Sequence, residues 1–260
     1  MQHNHPLLDR RLYLPQEWVG DAAYAERRCR CGVPRALTFT TKPLWGWEMI
    51  QAVRQASPLR CRWVTCEEAF GRETALLDRS AEVALWYVAE GPHDSRVWRH
   101  RPATAVPAWA GQGRKPRRPR VLPGEAQPAE VAQLAASLPA NRWVQRTIKA
   151  GSKGPLIARF ARVRVMAVRE GLPGPAVWLV RRDPGGTGEL KTYVSHAPAS
   201  TSLATVVRVG GMRWPIATCF EDGQQYLGMG AYAVRSWRGW HHHMTLVTLA
   251  PFLLVRIRLR

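Results

Sequence analysis

The feature that most constrains this fold is a series of runs in which apolar and polar residues alternate. The runs cover residues 143–170, 176–183 and 190–198, and the turn sequences GLPGP and DPGGTG separate them. Alternation gives each strand one apolar face, and short glycine-rich connections join antiparallel neighbours. The sequence therefore predicts a β-rich antiparallel segment within residues 131–200, after a short helix in PAEVAQLAASLP.

Helix-type and strand-type patterns alternate upstream, in residues 1–98. LWGWEMIQAVRQAS and RETALLDRSAEV have helical patterns, whereas LRCRWVTCEEAFG and ALWYVAEG are typical of buried strands. Such alternation favours an α/β layer with parallel pairing. LLDRRLYLP, from Leu7 to Pro15, also has a strand-like rhythm, and residues 201–260 are predicted to be helical.

The balance of charge indicates a polyanionic partner. The chain has 38 Lys and Arg against 19 Asp and Glu, a net charge of +19, and an isoelectric point near 11.0. A strongly cationic surface attracts polyanions, so nucleic acid is the expected partner. A compositional bias toward arginine does not explain why acidic residues are so few.

Residues 99–130 are predicted to form a basic, proline-rich linker. Prolines interrupt any regular pattern there, and GRKPRRPR places basic residues between them. Two interpretations stay open, a solvated charge run and an arm that contacts phosphates.

Neither the cysteines nor the apolar runs indicate a secreted or membrane protein. The five cysteines are scattered, which favours free thiols in a reducing cytoplasm. The most apolar run, Met244 to Val255, is too short to span a bilayer and contains Pro251, so it is predicted to be a buried helix. We expect a soluble cytoplasmic protein without a signal peptide.

Glu67 and Glu68 are the first candidates for chemistry, because they directly follow a predicted strand. The carboxyl end of a central strand is where α/β sheets place their sites, and carboxylates are preferred ligands of magnesium. Two-metal nucleases need acids at such a position. The alternative is that the two glutamates begin a helix, where negative charge is favourable.

A second set of candidates lies in RWPIATCFEDGQQYLGM. Arg213, Ala217, Glu221 and Gln224 follow one another at spacings of four, four and three residues, so they share one face of a helix. The alternative is a charged outer stripe on an amphipathic helix.

Several segments together resemble bacterial insertion-sequence transposases with an RNase H-like DDE domain. They are LLDRRLYLP, WVTCEEAFGR, IKAGSKGP and the run from GMRWPIATCFEDGQQYLGM to HHHMTLVTLA, in this order. The resemblance extends from about Leu7 to the C-terminus. It implies an α/β fold with an RNase H-like mixed sheet flanked by helices, and a β-rich insertion before the final catalytic-type helix.

In that family, Asp, Asp and Glu hold two divalent ions, usually Mg²⁺, which activate water to nick the transposon end and then a 3′ hydroxyl to attack target DNA. The resemblance places the second acid and its metal at Glu67, where the family has Asp, and the third at Ala217, where the family has Glu. The first acid is expected upstream of LLDRRLYLP, outside this chain. Glu221, one turn after Ala217, is a weak substitute.

Candidate DNA contacts follow from the resemblance and from the pattern of basic and aromatic residues. Gln224 stands where the family has a DNA-binding lysine, and Arg213 retains the family's arginine. Phosphate contact and base stacking are the functional interpretation of VRSWRGWHHH, and a buried tryptophan that anchors the last helix is the alternative. The candidates are Arg213, Gln224, Lys149, Lys153, Arg235, Trp237 and Arg238.

Three hypotheses follow: a transposase that cleaves DNA and transfers strands, a non-catalytic DNA-binding remnant or regulator of a transposable element, and a decayed product without a selected role. The altered acids favour the second over the first. The expected partners are double-stranded DNA, as transposon ends and target, and a second copy of the chain in a homodimer. We expect a location in the bacterial cytoplasm, at the nucleoid, and poor solubility from an exposed edge strand near Leu7.

Overall fold

The computed structural model describes residues 7–56, 60–92, 94–151, 154–185, 190–233 and 235–258, with the backbone alone for residues 149–151, 254–255 and 258. The chain divides into two compact units. One consists of Met1–Arg60 and Arg213–Arg260, and its described part is helical and irregular. The other is Cys61–Met212, which contains the sheet.

The strands of the Cys61–Met212 unit form one large sheet and one small pair. The strands are β1 (Trp63–Cys66), β2 (Trp86–Gly91), β3 (Arg96–Trp98), β4 (Thr104–Ala105), β5 (Arg120–Val121), β6 (Ala129–Glu130), β7 (Val144–Gly151), β8 (Gly154–Arg169), β9 (Leu172–Asp183) and β10 (Lys191–Ser195). Within the described residues, eight of them form a sheet in the order β1-β2-β10-β9-β8-β3-β6, with β7 paired to β8 outside this path. Among the described residues, β4 and β5 pair only with each other.

The large sheet is mixed. β1 and β2 are parallel, from Trp63 opposite Trp86 to Cys66 opposite Ala89. β7 to β10 are antiparallel to their neighbours in the sheet, and β10 lies between β2 and β9. Parallel pairing of the first two strands and the antiparallel segment were both predicted, and both are confirmed. The strands of the β-rich segment join the same sheet as β1 and β2.

Helices flank this sheet. Among the described residues, the helices in the same unit as the sheet are α4 (Glu68–Gly71), α5 (Thr74–Glu82), α6 (Val131–Ala136) and α7 (Leu203–Gly211), with a short 3₁₀ turn at Ala140–Arg142. The described helices of the other unit are α1 (Gln16–Gly20), α2 (Ala25–Arg30), α3 (Lys42–Ala56), α8 (Trp214–Tyr226) and α9 (Trp237–Arg258), with a 3₁₀ turn at Ala22–Tyr24. The predicted helices in residues 44–57, 72–83 and 128–139 are confirmed as α3, α5 and α6. The large mixed sheet with flanking helices is the predicted RNase H-like architecture of DDE nucleases.

The core lies on both faces of the sheet, because successive side chains of each strand point to opposite faces. On one face, α5 packs Leu77 against Tyr87 and Ala89 of β2, and α6 packs Val131 against β3, β8 and β9. On the other face, α7 packs its buried valines against Val88 of β2 and against β8 and β9. The buried members of this second cluster are Val88, Ala158, Phe160, Val180, Val206, Val207 and Val209.

Two predictions for the Met1–Arg60 and Arg213–Arg260 unit are wrong. Leu7 to Pro15 contain no strand. Instead, Arg10 donates hydrogen bonds to the carbonyl of His241 and the hydroxyl of Thr245 in α9, so this extended segment lies on a helix and its alternation does not reflect sheet pairing. Met244 to Val255 is helical as predicted but not buried, since Leu246 and Leu249 are 54% and 47% exposed.

Pro251 is accommodated inside α9. Within the part of the chain that the structure describes, no helix combines the length and the apolar character needed to cross a bilayer.

Candidate functional site

The carboxyl ends of the parallel strands β1 and β2 bring acidic residues to one edge of the sheet. Glu67 directly follows β1, and Glu90 is the second-last residue of β2. Because Cys66 is the register partner of Ala89, Glu67 and Glu90 occupy the next positions along the two strands. The crevice at such strand ends is the usual place of a site in an α/β sheet.

Gly71 lets the backbone of α4 lie directly on β2 at this edge. A methyl group at Gly71 would be 2.0 Å from the carbonyl oxygen of Glu90, so any larger residue would displace the helix. The backbone amides of Phe70 and Gly71 donate to the carbonyl of Glu67 at 3.0 and 2.8 Å, which anchors Glu67 at the start of α4. Sequence reasoning missed Gly71, although a glycine three residues after the glutamate pair was visible.

The acids beside Glu67 are paired with cations. The Glu68 carboxylate accepts a hydrogen bond from Arg72 at 2.8 Å. The Glu90 carboxylate, 10% exposed, accepts one from the ammonium of Lys191 at 2.5 Å. The local charge of these two carboxylates is therefore balanced within the protein.

Two buried arginines on β9 add positive charge to the same edge. Arg182 is the register partner of Lys191, and Arg181 is that of Thr192. Arg181 and Arg182 are 4% and 9% exposed, the guanidinium of Arg181 donates to the Thr192 hydroxyl, and burial lowers the pKa of Arg181. Sequence reasoning missed these residues, and the one signal for them was a pair of arginines at the end of an otherwise apolar strand.

A comparison of the sequence with models of protein families identifies the family to which the chain belongs. A family model described as DDE superfamily endonuclease matches residues 2–155, which is more than half of the chain. This chain belongs to the DDE superfamily endonucleases. No curated protein matches it significantly.

Membership of this superfamily indicates a transposase- or nuclease-type function, in which the domain acts on DNA. The match includes β1, Glu67 and residues 99–130, and it ends before α8. The position at which the resemblance places the second acid thus lies inside the matched stretch. The assignment of the third acid to Ala217 stays a prediction from the resemblance.

DDE superfamily nucleases generally use divalent metal ions, and the described donors near Glu67 do not fit such a centre. Among the described residues, no group of three or more His, Cys, Asp or Glu side chains is placed to hold a metal ion. The Glu67 side chain is exposed, and Ala217 has no donor atom.

The candidates on α8 lie in the unit formed by Met1–Arg60 and Arg213–Arg260, whereas Glu67 lies in the other unit. Arg213 is half-buried at the position before α8, and Ala217, Glu221 and Gln224 are all exposed on the helix. The helix itself was predicted and is confirmed. The roles of these residues toward metal or DNA stay predictions.

The remaining candidate DNA contacts have different surroundings. Arg235 and Arg238 are exposed, but Trp237 is half-buried, with its ring centroid 4.6 Å from that of His241. The Trp237 amide also donates to the carbonyl of Cys31 at 2.7 Å, so this residue anchors α9 within its unit. Lys149 lies in β7 with its backbone alone described, and Lys153 lies outside the described residues.

Proposed function

We propose that this DDE superfamily endonuclease binds double-stranded DNA but no longer performs metal-dependent cleavage and strand transfer. The observation that carries the proposal is that the acids beside Glu67 in its own unit, Glu68 and Glu90, are each paired with a cation. A two-metal mechanism needs several carboxylates that converge on the ions.

The chemistry of the individual positions supports this proposal. Glu67 is one methylene longer than the aspartate that the resemblance implies, which moves its carboxylate by about 1.5 Å. Mg²⁺ requires near-ideal octahedral geometry, so this change alone is unfavourable. Ala217 provides no ligand, and the ammonium of Lys191 beside Glu90 opposes a second cation there.

DNA binding does not depend on those acids. The net charge of +19 attracts the phosphate backbone irrespective of whether the chain can cut it. We infer that the duplexes bound are the ends of a bacterial insertion sequence and its target, in the cytoplasm at the nucleoid, and that two copies act together as a homodimer. Arg213, Gln224, Lys149, Lys153, Arg235 and Arg238 are the proposed contacts.

The alternative, an active transposase, is favoured by one observation: Glu67 retains the expected place after β1, with α4 held on β2 through Gly71. Nicking of a supercoiled plasmid in the presence of Mg²⁺ or Mn²⁺ separates the two functions. We expect the protein to retard the plasmid in a gel without nicking it.

The matched control is Glu67→Gln, purified in the same way. If the protein nicks DNA and Glu67→Gln does not, the chain is an active nuclease and the proposal is wrong. Glu221→Gln tests the weak substitute, because calorimetric Mg²⁺ binding that this change abolishes would give Glu221 a role as a ligand.

A further inference from the structure

A basic arm, defined as residues 103–122, lies in the connection between β3 and β6 of the Cys61–Met212 unit. Its two ends are joined by the short pair of β4 and β5, with Thr104 opposite Val121 and Ala105 opposite Arg120. The amide of Leu122 donates to the carbonyl of Ala103 at 3.0 Å and closes the base. The arm is therefore a loop with a defined neck.

The root of the arm is attached to the large sheet. The Trp98 indole donates to the carbonyl of Ala126 at 3.0 Å, and Trp98 is only 3% exposed. The guanidinium of Arg101 donates to the carbonyls of Pro173 and Gly174, at 3.2 and 2.7 Å, where β9 begins. The sheet thus holds the neck in place, while most side chains of the arm are exposed.

The exposed charge of the arm has one sign. Its basic residues are all exposed, and they are Arg114, Lys115, Arg117, Arg118 and Arg120. No carboxylate occurs in the sequence between Asp94 and Glu125. Among the described residues, none of the ion pairs involves a basic residue of the arm. Like charges so close in sequence repel one another, so a polyanion that binds them relieves an existing repulsion.

The tip of the arm combines this charge with an aromatic ring and restricted backbone. Trp109 is 51% exposed, and its indole donates to the carbonyl of Gly113 at 3.2 Å. Gly111 and Gly113 have positive φ values of 85° and 72°, which permit this tight turn. Pro116 and Pro119 separate the basic residues and fix φ at both positions, which lowers the entropy lost when the arm binds.

We propose that the basic arm is the element with which this DDE endonuclease holds duplex DNA, through contacts to the phosphate backbone that do not depend on sequence. The proposal rests on the proposed function, since it takes duplex DNA as the partner. It goes beyond that function because none of the contacts proposed there lies on the arm.

The experiment measures the affinity of the full chain for a short fluorescent duplex by anisotropy, over a range of salt concentrations. The test variant is Arg114→Gln/Lys115→Gln/Arg117→Gln/Arg118→Gln. Each phosphate contact contributes about 0.9 to the slope of log K against log salt, so we expect the loss of four contacts to lower the slope by about 3.6. At low salt we expect the affinity to fall by at least about tenfold.

A charge-matched control removes four exposed cations elsewhere in the same unit. It is Arg62→Gln/Arg79→Gln/Arg142→Gln/Arg208→Gln, and each of these side chains is exposed. We expect this control to keep the wild-type slope to within about 1. A second control, Arg114→Lys/Arg117→Lys/Arg118→Lys, retains the charge and should retain the slope.

Each outcome has a definite meaning. If wild type binds the duplex and the arm variant binds with the same slope, the arm proposal is overturned while the proposed function stands. Equal losses in the arm variant and the dispersed control also overturn it, because total charge then explains binding. If wild type binds single-stranded RNA more tightly than the duplex, the assigned partner is wrong, and if it binds no duplex at all, both proposals fail.

Discussion

The cations of the sheet and the cations of the basic arm have different surroundings. On the sheet, Arg162 donates to the carbonyl of Thr201 at 2.5 Å, and Arg164 donates to that of Ala197 at 3.2 Å. Arg169 forms an ion pair with Asp78 through two of its guanidinium nitrogens. On the arm, the described residues place no carboxylate against the basic side chains. These three arginines are held by partners within their unit, whereas the basic residues of the arm face solvent.

The net charge of +19 is therefore not spread over one uniform surface, because its basic side chains have different surroundings in the sheet and in the arm. Changes to the paired charged groups of the sheet, such as Glu90 and Arg169, should alter folding stability and leave DNA binding nearly unchanged. Changes on the arm should do the reverse. The following predictions test that separation, beginning with the largest effect.

Gly71→Ala should destabilise the protein most, by about 3 kcal/mol or more, because the new methyl group would lie against a backbone carbonyl that cannot move freely. The measurement is the free energy of unfolding in urea. Gly91→Ala is the matched control, since a methyl group there meets only Val194 Cγ1 at 4.0 Å. Equal stabilities of the two variants would show that α4 does not lie on β2 as described.

Glu90→Gln should cost about 2 kcal/mol of stability, because Lys191 then loses a nearly buried counter-ion. Glu68→Gln removes a more exposed pair with Arg72 and should cost about 0.5 kcal/mol or less. Both losses are measured by denaturation, and both variants should bind the duplex with the wild-type salt slope. A slope changed by Glu90→Gln would contradict the separation between sheet and arm.

His196 should make stability depend on pH. Its ring stacks on Tyr87 with centroids 4.4 Å apart, and its Nδ1 accepts the Tyr87 amide at 3.4 Å. Burial lowers the pKa of His196 below the ordinary 6.5, and Arg164 lowers it further, against the opposing effect of Asp78. The unfolded chain therefore takes up the proton first, and stability should fall as the pH decreases below 6.5.

The check is the melting temperature of wild type and His196→Gln across this pH range. The variant should lose part of the decrease seen for wild type as the pH falls below 6.5. If the variant and wild type have the same profile, His196 takes up a proton as readily in the folded chain as in the unfolded one.

Arg101→Lys should have the smallest effect. Lysine keeps the charge but loses the paired geometry with the carbonyls of Pro173 and Gly174, so the neck of the arm becomes less ordered. We expect about two- to threefold weaker duplex binding with an unchanged salt slope. Arg99→Lys, at an exposed neighbouring position, should bind as wild type does, and equal weakening by both changes would argue against an anchored arm.

Much of the fold could be predicted because local periodicity determines it. The alternation in residues 143–198 gives β7 to β10, and the helix-strand alternation before it gives the parallel pair of β1 and β2. The pairing of β2 with β10 could not be predicted, because it joins segments that are distant in sequence. The strand predicted in LLDRRLYLP is wrong, because an extended segment that lies on a helix has the same alternation as a strand.

The site was predictable only in part. Glu67 could be placed at a sheet edge because it follows a strand directly. The pair of Glu90 and Lys191 could not be foreseen, since its members are 101 positions apart and meet only through the strand order β2-β10. The burial of Arg181 and Arg182 likewise depends on the neighbouring strand and not on their own segment.

The place of β10 between β2 and β9 also bears on how the chain is made. During synthesis, β1 and β2 leave the ribosome about 100 residues before the strand that covers the edge of β2, a delay of roughly 5 to 20 s at about 5 to 20 residues per second. Throughout that interval the edge of β2 can pair with the strands of other nascent chains.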